Sequence, residues 1–396
     1  MKRLGIGLGI VALMAAIFWW MIGSDWRRLL SNPPGDGNVL FWSQDQRDAG
    51  FRMLDRVWFM VDTRDIAASE TVKPLPDGSA LTLEIDIDAY MAEQRHSALV
   101  ILHNGAIRYE GYGLDFDQSG RWTSFSVAKS FTSTLVGAAI KDGYIDSLDD
   151  PVSKYISDLA GSAYDTVTVE QLLTMTSGVR WIEDYEDPTS DVALFNEHIA
   201  EDGSSNLVSY MKALPRAHPP GDVWNYSTGE TNLIGILVAE ATGKTLADYL
   251  SEKVWAAYGM EQKATWLLNE DGTEVSGCCI QAATRDFARF GQFILEGAKI
   301  NGEAIVPDTW IENATTKKAA VERGPDGYGY QWWTYDDGSY AAQGIFGQGI
   351  FIDPSRQLVI ATNSSWRSAM GLRDGENPGR QAFYETVRAA IDAEAS

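Results

Sequence analysis

The first apolar pattern along the chain is an uncharged run from Leu4 to Gly23, preceded by Lys2 and Arg3 and followed by Asp25, Arg27 and Arg28. About 20 apolar residues at ~1.5 Å rise cross a bilayer core of about 30 Å, so the run predicts a single membrane-spanning helix. Trp19 and Trp20 lie near its far end, where amphipathic rings favour the interface. The run closes with Phe-Trp-Trp-Met-Ile and lacks a small-x-small cleavage site, which points to an uncleaved anchor rather than a signal peptide. Basic residues flank both sides, and the free amine tips the balance towards an N-terminus inside. The expected location is the inner (cytoplasmic) membrane, with everything beyond residue 28 on the periplasmic or extracytoplasmic side.

Residues 29 to 36 form a turn-rich tether, and residues 38 to 76 a mixed, aromatic-bearing segment that packs on the main body without forming a domain. Alternation is strong at Ser97–His103 and Ile107–Tyr112. With Asn104-Gly105 between them, these runs predict a β-hairpin with a type I′ turn. Helical periodicity follows from Val127 to Lys141. Thr168 and Gln171 are spaced as a capping box opening the helix Val169–Met175, and further helices are predicted at 231–242, 246–257 and 283–297. Late in the chain, Tyr328–Tyr335, Tyr340–Phe346, Gly349–Ile352 and Gln357–Thr362 read as strands, with a final amphipathic helix near Arg380–Ala393. Strands at both ends with helices between them predict an α+β fold: an antiparallel sheet flanked by helices with a mainly helical inserted subdomain. The division is 1–28 anchor, 29–89 tether and accessory segment, and 90–396 main domain.

Composition narrows the function classes. Lys plus Arg number 32 against 55 for Asp plus Glu, a net charge of −23, and no basic patch offsets it, so nucleic-acid binding is not expected. Four widely separated histidines and the adjacent pair Cys278-Cys279 have no metal-ligand spacing, and neighbouring cysteines rarely meet disulfide geometry. No Gly-x-Ser-x-Gly elbow occurs; Asn225-Tyr-Ser227-Thr-Gly229 lacks the first glycine, which argues against an α/β-hydrolase. Gly243-Lys244-Thr245 reads as a turn between helices, because a phosphate loop would need glycine where Val238 stands.

Ser-x-x-Lys occurs twice, as Ser126-Val-Ala-Lys129 and Ser209-Tyr-Met-Lys212. Residues three apart share a helix face, and a desolvated lysine can lose its proton and activate a serine. Ser126 opens an apolar helix, where its own amide can donate to an oxyanion; Ser209 lies inside a short amphipathic stretch and reads as solvent-facing. Two further elements carry chemistry. Tyr226, in Pro220-Gly-Asp-Val-Trp224-Asn-Tyr226-Ser-Thr-Gly229, offers a phenol that can pass a proton if nearby cations lower its pKa. Gly344-Ile-Phe-Gly347-Gln348-Gly349-Ile350 offers backbone that a ligand can approach closely, although a bulge or sheet bend would explain the same glycines.

Taken in order, these motifs resemble the serine β-lactamase and penicillin-binding-protein superfamily over roughly residues 90 to 390. Val167–Gly178 and the stretch from Pro220 to Gly243 look like the same family. Trp181-Ile-Glu-Asp-Tyr185-Glu-Asp-Pro188 and Gly277-Cys-Cys-Ile280 look most like the branch of 6-aminohexanoate-dimer hydrolase and class C-like esterases. The resemblance implies Ser126 as acylated nucleophile, Lys129 as its base, neutral in the resting site, and Tyr226 as proton relay. It implies the amides of Ser126 and Ile350 as oxyanion hole, and Tyr185, Gly347, Gln348 and Gly349 as substrate-binding. No metal or cofactor is implied, and the partner is a small-molecule ester or amide. Tyr226-Ser227-Thr228 stands where β-lactamases usually have Tyr-x-Asn, and Gly347-Gln348-Gly349 where they carry Lys-Thr-Gly. The missing cation disfavours β-lactam hydrolysis and D,D-peptidase activity. A non-catalytic cell-wall sensor on the same fold is the rival from another class.

Overall fold

The computed structural model describes residues 2–395 apart from residues 36, 58–60, 202 and 322–323; the side chains of residues 2–9, 11, 12 and 196 also lie outside the description. Helix Lys2–Met21 covers the uncharged run. Among the described residues no helix is long and apolar enough to cross a membrane, and much of the expected anchor lies outside them.

The central sheet has eight strands, each antiparallel to its neighbours. In spatial order they are Ala106–Tyr112, His96–His103, Leu358–Ser364, Gln348–Asp353, Tyr340–Gly344, Trp333–Thr334, Gly327–Tyr328 and Ala319–Ala320. The first hairpin turns at Asn104 (φ 53°) and Gly105 (φ 75°), as two positive-φ positions of a type I′ turn require. Side-chain alternation sorts the two faces. Val100 and Leu102 pack towards the helices Ala128–Lys141 and Thr284–Leu295, whereas Leu99 and Ile101 pack on the C-terminal helix Glu376–Glu394. The strand His96–His103 is therefore apolar at consecutive positions, because both faces are covered.

The chain between the hairpin and the late strands supplies the helices. Ala128–Lys141 packs against Thr228–Thr242. Both motifs of the Val169–Leu173 capping box form, with Thr168 accepting from the Gln171 amide and Gln171 from that of Thr168. Gly243 ends the helix Thr228–Thr242 in the left-handed region (φ 68°), and Thr245 caps the next, so Gly243-Lys244-Thr245 is a turn between helices.

Two expectations are corrected. Tyr328–Tyr335 is not one strand but a tight hairpin, Gly327–Tyr328 against Trp333–Thr334. Gln331 reverses the chain at φ 62°, and its buried amide donates to the Leu173 carbonyl (2.8 Å) and accepts from the Thr231 hydroxyl (2.7 Å). The accessory segment is also more integral than a packed tether. Thr63–Ile66 forms the edge of a second, four-stranded sheet with Ala264–Leu267, Ile280–Ala282 and Trp122–Thr123.

Glu230, in the first turn of Thr228–Thr242, is buried with its carboxylate accepting from Tyr164 and Ser177. Burial pushes its pKa up to about 8, against 4.5 for the ordinary group, with those two bonds opposing. A raised folded-state value means stability is fully present below pH 4.5 and is lost as pH rises through 8. Glu230→Gln, which mimics the neutral acid, is expected to melt close to wild type at pH 5 and several degrees above it at pH 8.5, as read by calorimetry.

Candidate active site

Ser126 lies in a single 3₁₀ turn, Phe125–Val127, that runs directly into helix Ala128–Lys141. The preceding Phe125 sits at φ 42°, a region costing a bulky residue roughly 1–3 kcal/mol. Its ring is caged by Phe51 at 4.9 Å and Phe346 at 5.5 Å, so aromatic packing holds the backbone there. Thr123 N–H donates to the Phe51 carbonyl (3.0 Å), tying the strand before the serine to the accessory segment.

One turn along the helix, Lys129 is 1% exposed. Its Nζ donates to the Gly277 carbonyl (2.8 Å) and to the Thr228 hydroxyl (3.0 Å). An ammonium carries three donors, whereas a neutral amine with two N–H bonds is satisfied by these two acceptors and keeps its lone pair. Burial lowers the Lys129 pKa to about 8, and the Glu183 carboxylate opposes that shift. A shift in this direction makes the neutral amine accessible to Ser126 near neutral pH, in line with the two acceptors that satisfy it. A Cβ at Gly277 would lie 3.0 Å from the Thr228 carbonyl oxygen and 3.1 Å from Nζ, so a larger residue there would crowd the lysine.

Tyr226 precedes the cap of helix Thr228–Thr242, where the Ser227 hydroxyl accepts from the Glu230 amide (3.2 Å). The Ser126 hydroxyl is close enough to the phenol to act on its proton affinity, and the Lys129 Nζ is 5.3 Å from the ring centroid. Burial and then the Glu183 charge push the phenol well up, with the Ser126 hydroxyl opposing. Tyr226 is therefore a protonated donor, contrary to the expectation that cations lower it. Its ring stacks on Trp333 at 5.5 Å and meets Trp224 and Tyr328 edge-on or tilted.

The structure thus brings Ser126, Lys129 and Tyr226 together, and it separates Ile350 from them. Ile350 pairs with both Ala342 and Ala361 in mid-sheet. The peptide beside the serine is Gly344–Ile345: the Cβ that Gly344 lacks would lie 3.0 Å from the Ser126 amide nitrogen. The register differs by five residues because the chain turns at Ile345–Gly347, where Phe346 adopts φ 58°, before the strand bearing Ile350 begins. Gln348 is also not presented to a ligand. Its buried amide donates to the carbonyls of Ile345, Phe346 and Ser364 and accepts from the Ser364 amide, clamping the turn from behind. Gly347 and Gly349 are filled from the sheet side: a Cβ would lie 2.5 Å from Trp366 and 3.2 Å from Thr362 Oγ1, respectively. Tyr185 lines the cavity with Ser126, Thr228, Gly277 and Ile345. Ser209 has no part in this site; its half-buried hydroxyl pairs with His198 Nε2 at 3.0 Å.

Glu183 escaped the motif reading. It accepts from the Tyr185 hydroxyl (2.8 Å), the Thr228 amide (2.9 Å), the Thr228 hydroxyl and the Trp181 indole. Trp181, Glu183 and Tyr185 alternate in sequence, the one signal that they share a face. Thr228, standing where Tyr-x-Asn would place asparagine, relays Glu183 to Lys129. Cys278 and Cys279 follow Gly277 in the cavity wall, with Cys279 at φ 73°. Among the described residues no three His, Cys, Asp or Glu side chains converge as a metal site.

Fold and site define a class: the Beta-lactamase family matches residues 85–382, and the chain belongs to it, as a β-lactamase-type serine hydrolase. Among curated relatives, 6-aminohexanoate-dimer hydrolase of Paenarthrobacter ureafaciens is 29% identical over 311 residues, covering 73% of this chain and 79% of its own. Among solved structures, a 6-aminohexanoate-dimer hydrolase candidate from Bacillus anthracis matches with TM-score 0.75 and 23% identity, over 88% of this chain and 94% of its own. EstCE1, a hydrolase with promiscuous acyltransferase activity, matches with TM-score 0.60 and 13% identity, over 77% of this chain and 96% of its own. The last two show a shared fold.

The rate should depend on the neutral fraction of Lys129, so kcat/KM is expected to rise with pH through about 8. Glu183 raises the Lys129 pKa; removing its charge in Glu183→Gln is expected to move that acid limb to lower pH. A pH–rate profile measured on both proteins checks this, and an unmoved limb would refute the coupling.

Proposed function

We propose that this chain cleaves an ester or amide through an acyl-enzyme on Ser126. Neutral Lys129 takes the Ser126 proton as Oγ attacks the carbonyl, and the oxyanion is received by the amides of Ser126 and Ile345. Each such donor is typically worth about 3 kcal/mol of barrier. Tyr226 gives its proton to the departing alcohol or amine and regains one from Lys129. Water then enters, and the same relay runs in reverse to release the acid. The observation that carries this reading is a serine at the mouth of a helix, lining a cavity beside a phenol that burial keeps protonated and a desolvated lysine whose two N–H acceptors leave its lone pair unused. A binding-only sensor has no use for that arrangement. The described residues lining the cavity include no lysine or arginine. The relative named for 6-aminohexanoate-dimer hydrolysis makes a linear amide as fitting a substrate as an ester.

The location we propose is the inner membrane, with residues 4–23 as anchor and the site on the outer side. The uncharged run with its flanking bases supports the anchor.

Ser126→Ala should lose essentially all turnover of p-nitrophenyl esters and of a linear amino-acid-oligomer amide while keeping its wild-type circular dichroism; full activity in that variant refutes the assignment. Tyr226→Phe should slow amides more than p-nitrophenyl esters, because nitrophenolate leaves without a proton. The anchor is checked separately, since full-length protein should resist alkaline-carbonate extraction from membranes.

A further inference from the structure

The cavity that begins at Ser126 has a volume of about 390 Å³, within the range of roughly 300–1,000 Å³ typical of ligand pockets. Much of one wall comes from the accessory segment: Val39, Leu40, Leu54 and Val57. Val192 and Phe195 of the helical subdomain, and Leu267 of the second sheet, contribute to the rest. Those side chains are held rigidly. Arg47 donates to the carbonyls of Trp42 (2.6 Å) and Arg367 (2.9 Å) and lies 4.8 Å from the Phe346 ring, so the segment is fastened to the turn that carries Ile345.

Which part of a substrate this cavity takes follows from the position of the proton donor. Tyr226 and its aromatic neighbours Trp224 and Trp333 are not among the lining residues, whereas Ser126 and Ile345 are. A leaving group must depart beside Tyr226, so the cavity, which Tyr226 does not line, receives the acyl part. Its walls are aliphatic and aromatic, and the charged side chains among its described lining are the exposed carboxylates Glu197 and Glu270. An acyl chain ending in a carboxylate would meet two like charges there, while an uncharged chain buries methylenes at no electrostatic cost.

We propose that this cavity is an acyl-chain site, and that the accessory segment makes the enzyme selective for esters or amides of medium-chain aliphatic acids without a terminal carboxylate over those of acetate-sized acids. The proposal rests on Ser126 as nucleophile and specifies what that nucleophile is offered. Each buried methylene can favour binding by about fourfold at most, the equivalent of ~0.8 kcal/mol. A few methylenes therefore suffice for a preference of about tenfold or more.

The experiment is a chain-length series of p-nitrophenyl esters, from acetate to dodecanoate, with wild type, Val39→Trp and Val192→Ala. Each protein is first titrated with a fluorophosphonate that labels Ser126. In wild type, kcat/KM for octanoate is expected to exceed that for acetate by about tenfold or more. Val39→Trp narrows the cavity from a half-buried position and should lower the octanoate-to-acetate ratio severalfold. Val192→Ala widens the opposite wall and should move the optimum towards decanoate or dodecanoate. A flat series in a labelled, active wild type, or ratios unmoved in both folded variants, overturns the acyl-chain site and leaves the serine mechanism standing. Failure of the fluorophosphonate to label Ser126 overturns the mechanism, and the acyl-chain site with it.

Discussion

A lysine amine withdrawn from water sets the terms for the rest of this site. Burying an ammonium is costly unless acceptors surround it, and Lys129 is given two, enough for the amine and one short for the cation. Each acceptor is held in place by further bonds. Gly277 is fixed by its amide donating to Asn232 Oδ1 at 2.7 Å, and Thr228 by the Glu183 carboxylate on both its amide and its hydroxyl. Asn232 and Thr228 share one helix, so the base, its two acceptors and the tyrosine relay are referenced to the start of Thr228–Thr242. That helix packs on the one bearing Ser126 and Lys129, which makes the interhelical contact the ruler for the catalytic distances.

The second device is the accessory segment, which reaches the same centre from the opposite side. Phe51 interlocks with Trp122, Phe125 and Phe346, joining the strand before the serine to the turn after Gly344. Phe125 and Phe346 both sit at positive φ, and a shared aromatic cluster is what makes two such backbone positions tolerable at once. The oxyanion-side peptides are therefore placed by residues far upstream of any motif. Departures from the family pattern fit the same picture. Threonine at position 228 keeps the contact to Lys129 that an asparagine would make, and adds a hydroxyl proton for Glu183. Gln348 is turned inward and spends its amide on backbone carbonyls, so it offers nothing to an anionic substrate.

Local chemistry made much of this legible from the sequence. Asn104-Gly105, the Thr168–Gln171 box, the glycine stop at Gly243 and the serine at the mouth of an apolar helix each encode their geometry within a few residues, and each formed as read. The elements misjudged depend on partners distant in sequence. Gln331 breaks an apparently continuous strand because Thr231 and Leu173 supply hydrogen bonds no local pattern reveals. Glu183 gains its place only when Thr228 arrives beside it. The family resemblance points to the Ile350 amide, but glycines mark where backbone can be approached and not from which side; sheet pairing turns one set towards Trp366 and leaves Gly344 against the Ser126 amide.

By itself the sequence determined the class of chemistry: a serine, a lysine three residues on and a tyrosine before a helix cap are recognisable because their relation to local backbone is short-range. Tertiary structure alone decided which amide joins that of Ser126, how much proton affinity the lysine retains and what the neighbouring cavity will accept. Those properties are set by burial, part of it supplied by residues 37–57, and by the charge brought close from Glu183, and neither burial nor through-space charge has any signature in the spacing of residues along a chain.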